Sequence, residues 1–258
     1  MESDVHVVDT GWSSHLPQEL WERLSGGVAV RDQAELDEAL AAPDVHMIVV
    51  EAAGLTVSAA PPSDAAVMAK ADIQVAGGRV YARGDVHVVA GGHALVDAEE
   101  QAQVTASGRV VVRARGEARV VAHERAHVDA WEQAHVTAHD HAHADVYGQA
   151  HVTAYDQVHV DASDQTQVTA FGSTAVKARH GAWVWAGGEV RVAAVDRVTV
   201  TGDGEAIRIW ATPGVSVDAL PPAVIRVPED DCTINLDWTT MDRLWQESHQ
   251  SAGSGGSV

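Results

Sequence analysis

The chain has one cysteine, Cys232, one phenylalanine, Phe171, and three tyrosines among 258 residues. A single cysteine excludes an internal disulfide framework and suits a reducing compartment. With Ala and Val as the dominant apolar residues, the composition also argues against a bulky, many-layered core. Basic residues are scarce, 17 against 37 acidic ones for a net charge of −20. That balance excludes binding nucleic acid through its phosphates or docking on an anionic membrane. No apolar run approaches the roughly 20 residues of a membrane span, and Met1-Glu2-Ser3-Asp4 opens no basic leader. A soluble, cytoplasmic protein with no nucleic-acid or membrane partner is predicted. Catalytic signatures are also missing: there is no P-loop, no Gly-x-Ser-x-Gly, no Gly-x-Gly-x-x-Gly between strand and helix, and no cysteine cluster. The expectation is a protein that is not an enzyme and carries no cofactor.

What the chain does have is repetition. The stretch QAHVTAYDQVHVDASDQTQVTAF, residues 149–171, says nearly the same thing three times. Residues 76–203 divide without a gap into sixteen octads. Positions 3, 5 and 7 of each are small and apolar, positions 4 and 6 mostly polar, and position 1 usually Gly, Asp or Glu. Alternation with period two predicts a strand with one buried face. Gly or Asp at position 1 tolerates the left-handed backbone of a corner. An Ala-Val-Ala stripe cannot be buried by one strand alone, so the strands must stack as a solenoid.

Position 6 fixes the cross-section. It reads Asp129, Thr137, Asp145, Thr153, Asp161, Thr169, and this alternation becomes two columns only if two octads make one coil. The fold class predicted is all-β: a parallel two-sheet β-solenoid, or β-helix, with 16 residues per coil, about eight regular coils and small α-helical caps at both ends. Val128, Val136, Ala144, Val152 and Val160 should all be buried.

Four regions follow. Residues 1–75 read as an N-terminal cap with short helices at 17–24 and 33–40, the second opened by Asp32 and closed before Pro43. Residues 76–203 are the octad solenoid. Residues 204–250 read as irregular coils, where the register slips, followed by a closing helix at 239–248. Residues 251–258 have the composition of a disordered tail.

The stretch VAVRDQAELDEALAAPDVHMIVVEA, residues 28–52, resembles the leading segment of pectate-lyase-type β-helix proteins, in which a short amphipathic helix precedes the first buried strand. The octads resemble the octapeptide repeats of certain bacterial and phage β-solenoid proteins, and are similar in coil length to bacterial ice-nucleation repeats. The resemblance implies a β-solenoid and, from the last group, an ability to order water on a flat hydroxyl array.

Several outward-facing groups are candidates for function. His127/Asp129, His143/Asp145 and His159/Asp161 stack as three His-x-Asp pairs on one sheet, and imidazole with carboxylate suits zinc or nickel. Thr105, Thr137, Thr153 and Thr169 form a column on the other sheet, the water-ordering candidate. Corner position 8 places Trp131 and Tyr147 on one edge and His123, His139, Tyr155 and Phe171 on the other, spaced for ring stacking. Trp183 and Trp185 occupy outward positions of one strand, an apolar patch that soluble monomers avoid. Either residues 204–250 fold over it or another molecule does. The function expected is therefore a non-catalytic structural or interaction scaffold that self-associates as a homodimer or binds another protein. The alternatives are a water-ordering solenoid, an acidic DNA mimic and a His-ladder metal binder. Mimicry is disfavoured by distribution, because residues 76–203 hold 16 acidic and 11 basic residues and are the least acidic part per residue.

Overall fold

The structure, a computed structural model, describes residues 27–58, 65–202, 207–212, 215–219 and 224–226. All strand pairs are parallel, and from Met47 onward successive strands alternate between two sheets. The thirteen-stranded sheet starts at Val28–Val30 and carries the Asp column. The eleven-stranded sheet starts at Leu55–Val57 and carries the Thr column. Residues 16 apart sit side by side: His127 pairs with His143, Asp129 with Asp145 and Thr137 with Thr153. Val128, Val136, Ala144, Val152 and Val160 are all buried. No helix among the described residues is long and apolar enough to cross a membrane.

The coil count corrects the expectation of eight, since the solenoid has about 11 turns. The strict 16-residue offset does hold over eight strands of each sheet, from Arg79 to Arg191 and from His87 to Thr199. Outside that stretch the coils continue at other lengths. Val28 pairs with Ile48, Met47 with Ala66 and Ala66 with Arg79, offsets of 20, 19 and 13. Beyond Asp203 the predicted slip is one residue, since Arg191 pairs with Arg208 and Thr199 with Ser216. A turn can lengthen or shorten at its corner while the strand keeps its buried face, so a search for a fixed octad passes over these coils.

Among the described residues one helix, α1, spans Gln33–Ala41, as predicted. Its N-cap Asp32 accepts the N–H of Glu35 at 2.9 Å, and the Glu35 carboxylate accepts the N–H of Arg31, the residue before the cap, at 2.7 Å, so two bonds fix the first turn. The helix buries Leu36 and Ala39 in the same apolar core as Val30, Ile48 and Leu55, which closes the first coil. Gln33 also reaches the first strand of the Thr sheet. Its amide oxygen accepts the Thr56 N–H at 2.9 Å and its amide nitrogen donates to the Thr56 carbonyl at 3.0 Å. The second helix of that cap, at 17–24, the closing helix at 239–248 and the tail at 251–258 lie outside the described residues.

Corners are built as the octad predicts. Glu100, Glu124, Glu132, Asp140, Asp156 and Asp164 all have φ between 60° and 66°, alongside glycines in the same region. At Gly172 the choice of glycine is forced, because a Cβ would lie 2.9 Å from the Asp156 backbone nitrogen. Two inward positions break the apolar rule. Thr166 and Thr174 are fully buried; the Thr174 hydroxyl donates to the Phe171 carbonyl, whereas that of Thr166 has no partner.

Candidate functional site

The central part of the Asp sheet carries a cluster of imidazoles and carboxylates. Strands His127–Ala130, His143–Val146 and His159–Ala162 turn Val or Ala inward and His and Asp outward, so that three imidazoles and three carboxylates form adjacent columns. The rings of His127 and His143 stack with centroids 5.0 Å apart and planes within 10°. His159 leaves the stack: its ring is 6.4 Å from that of His143 and tilted by 41°. The residue beside it in the next coil is Ala175, which offers no ring to continue the column.

Each of the first two imidazoles faces carboxylate. His127 Nε2 lies 3.1 Å from Asp129 Oδ1 and 3.4 Å from Asp145 Oδ2, and His143 Nε2 lies 3.1 Å from Asp145 Oδ1. An ionised carboxylate can only accept, so His143 donates its Nε2–H to Asp145. This bond raises the pKa of His143 and lowers that of Asp145, in both cases against the opposing effect of partial burial. His159 is displaced the other way, lowered by burial and by the neighbouring His143. Of the six residues singled out as metal ligands from sequence, the structure brings His127, His143 and Asp145 together, with ligand atoms within 4.8 Å of one another. Asp129 lies beside them, and Asp161 has Lys177 at 4.0 Å.

The Thr sheet presents Thr137, Thr153 and Thr169 in register. The column is interrupted by Val121, between Thr105 and Thr137, and again by Trp185, between Thr169 and Thr201. Thr105 is engaged by the imidazole of His87 at 3.1 Å. His135 and His151 stack beside the Thr column at 5.0 Å, and no carboxylate stands between them on their strands. Burial first, and then the charge of His151, lowers the pKa of His135.

Both corner edges form ring ladders. His123, His139, Tyr155 and Phe171 stack at 5.0, 4.9 and 5.2 Å. On the opposite edge Trp131 and Tyr147 stack at 6.1 Å, and the Arg115 guanidinium lies over the Trp131 ring. The tryptophan pair is divided between two environments. Trp183 is 40% exposed, while Trp185 meets Phe171 edge-on at 5.2 Å and ends the ladder. Its ring occupies the space above Gly187, where a Cβ would come within 3.1 Å of it. Sequence reasoning placed both rings on one open face and missed this turn. The signal was Gly187 itself, a vacancy at the corner position that aromatic residues fill in the preceding coils. The described strands after Asp203, Arg208–Ala211, Ser216–Ala219 and Val224–Arg226, extend the two sheets.

No family model matches the chain, and no curated protein or solved structure matches it either. What the ladders do is read from their own chemistry.

Proposed function

We propose that the protein is a non-catalytic scaffold: a rigid rod that displays side chains at a fixed pitch and pairs with a second copy of itself through the surface around Trp183. The observation that supports this most directly is the 40% exposure of Trp183, a large indole on a sheet whose other outward positions are mostly Thr, Gln, Arg and His. The adjoining rings of Trp185 and Phe171 widen the apolar area. A self-complementary patch is most simply buried by a two-fold dimer. The uniform coils favour display over catalysis, since strands of four to six residues joined by short corners frame no deep cleft of the kind that encloses a substrate.

Sedimentation velocity at micromolar concentration tests the reading. The parent protein should sediment as a dimer and the double variant Trp183→Ser/Trp185→Ser as a monomer. A parent that remains monomeric, or a variant that still dimerises, overturns it. A second reading, that the rod orders water, is favoured by Thr137, Thr153 and Thr169 standing in register. In that case purified protein should raise droplet freezing temperatures, and Thr153→Lys should abolish the rise.

A further inference from the structure

We propose that His127, His143 and Asp145 form a binding site for one divalent transition-metal ion of the zinc type on the outer face of the Asp sheet. The first support is geometric. Zinc holds imidazole nitrogen and carboxylate oxygen at about 2.0–2.2 Å, so neighbouring ligands in a tetrahedral shell stand about 3.4 Å apart. The two imidazole-to-Asp145 separations are already 3.4 and 3.1 Å, each imidazole facing its own oxygen of the one carboxylate. Parallel stacking turns both rings to the same side of the sheet, and the ligand atoms, within 4.8 Å of one another, close on one ion by small rotations of the side chains. An ion entering there takes the place of the Nε2 proton that His143 donates to Asp145, that proton leaving to solvent or moving to Nδ1, and binds neutral imidazoles.

The second support is the charge sequence down the column. Asp97 lies between arginines, 2.8 Å from Arg79 and 3.9 Å from Arg113, and Asp161 has Lys177. Between these ends, Asp129 and Asp145 are adjacent in register, two like charges whose ion-pair partners among the described residues are all imidazoles. A divalent ion placed there would neutralise two carboxylates that stand next to each other in register. The ligand set, two imidazoles and a carboxylate, suits zinc, nickel or copper better than magnesium or calcium, which take oxygen-rich shells. Three protein ligands leave a fourth position open, with Asp129 and solvent beside it. This site is independent of the Trp183 surface, which lies on the other sheet.

Calorimetric titration of the metal-free protein with zinc chloride is the test. One zinc per chain is expected, with calcium and magnesium chloride giving no heat above dilution. His143→Gln and Asp145→Asn should each weaken binding by more than about tenfold, since loss of a ligand exceeds loss of an outer-shell partner. His135→Gln, which removes half of the stacked pair on the Thr sheet, should leave zinc affinity unchanged. All three positions face outward, so circular dichroism should show every variant folded. As a readout independent of mutation, zinc should shift the ring resonances of His127 and His143 in NMR spectra of the parent and spare those of His135 and His151. Equal affinity in parent, His143→Gln and Asp145→Asn, or heat lost equally in His135→Gln, would overturn the assignment.

Discussion

Glu132 accepts, through Oε2, the backbone N–H of Gly116 in the preceding coil at 2.9 Å. Asp140 does the same for Glu124 at 3.1 Å, and Asp164 for Gly148 at 3.3 Å. A glycine enters the left-handed corner without strain but brings no acceptor, whereas an acidic residue accepts the strain and ties one corner to the last. Glu132→Ala keeps the strained backbone and loses the bond, so it should destabilise the protein by about 1 kcal/mol. Glu132→Gly loses the bond but relieves the backbone and should cost less. Urea unfolding midpoints check the order; equal losses would mean that the left-handed backbone carries no strain at this corner, and no loss in Glu132→Ala that the carboxylate contributes nothing.

The unpartnered hydroxyl of Thr166 is a defect that can be removed. Thr166→Val keeps the shape and deletes a buried polar group, and should stabilise the protein by about 1 kcal/mol. The matched change Thr174→Val breaks the bond to the Phe171 carbonyl and should not stabilise. At Val152, which is 2% exposed, Asp would place a charge in an Ala/Val core and cost several kcal/mol. Thermal unfolding of the three variants should rank them in that order, and a lowered midpoint for Thr166→Val would refute the account.

His135 sets a pH dependence of definite sign. Its folded pKa lies below the ordinary 6.5, first through burial and then through His151. The unfolded chain therefore takes up the proton more readily. The contribution to stability is intact above pH 6.5 and is lost as pH falls through the lower folded value. NMR titration should place the midpoint of His135 below 6.5, and His151→Gln should move it part of the way back. A midpoint at or above 6.5 would show that neither effect operates.

The alternation of Asp129 with Thr137 made the coil length legible, because only two octads per turn put like residues in one column. The buried Val and Ala positions and helix α1 behind Asp32 were legible for the same reason, a local pattern with one physical solution. The extra turns were hidden by corners of changing length, as between Ala66 and Arg79. At the candidate sites, sequence placed His127, His143 and His159 in one column but could not foresee that His159 tilts away where Ala175 ends it. Gly187 marked a space that one of Trp183 and Trp185 could fill, but which ring turns into it is decided by rotamers.

Gln33 gives the rod a finished end. In a parallel strand one residue's N–H and C=O face the same neighbour, and Thr56 is the middle of the three residues in the first strand of the Thr sheet. One primary amide thus imitates a passing strand and uses up both groups that could template another. Stacked parallel coils are otherwise close to a fibre in their hydrogen bonding, and among the described residues a single side chain occupies both outward groups of Thr56 on this sheet. Gln33→Ala should expose that template. Incubated at high concentration, the variant should lengthen into filaments visible by electron microscopy while the parent stays discrete, and absence of filaments from both would assign the block to the helix body instead.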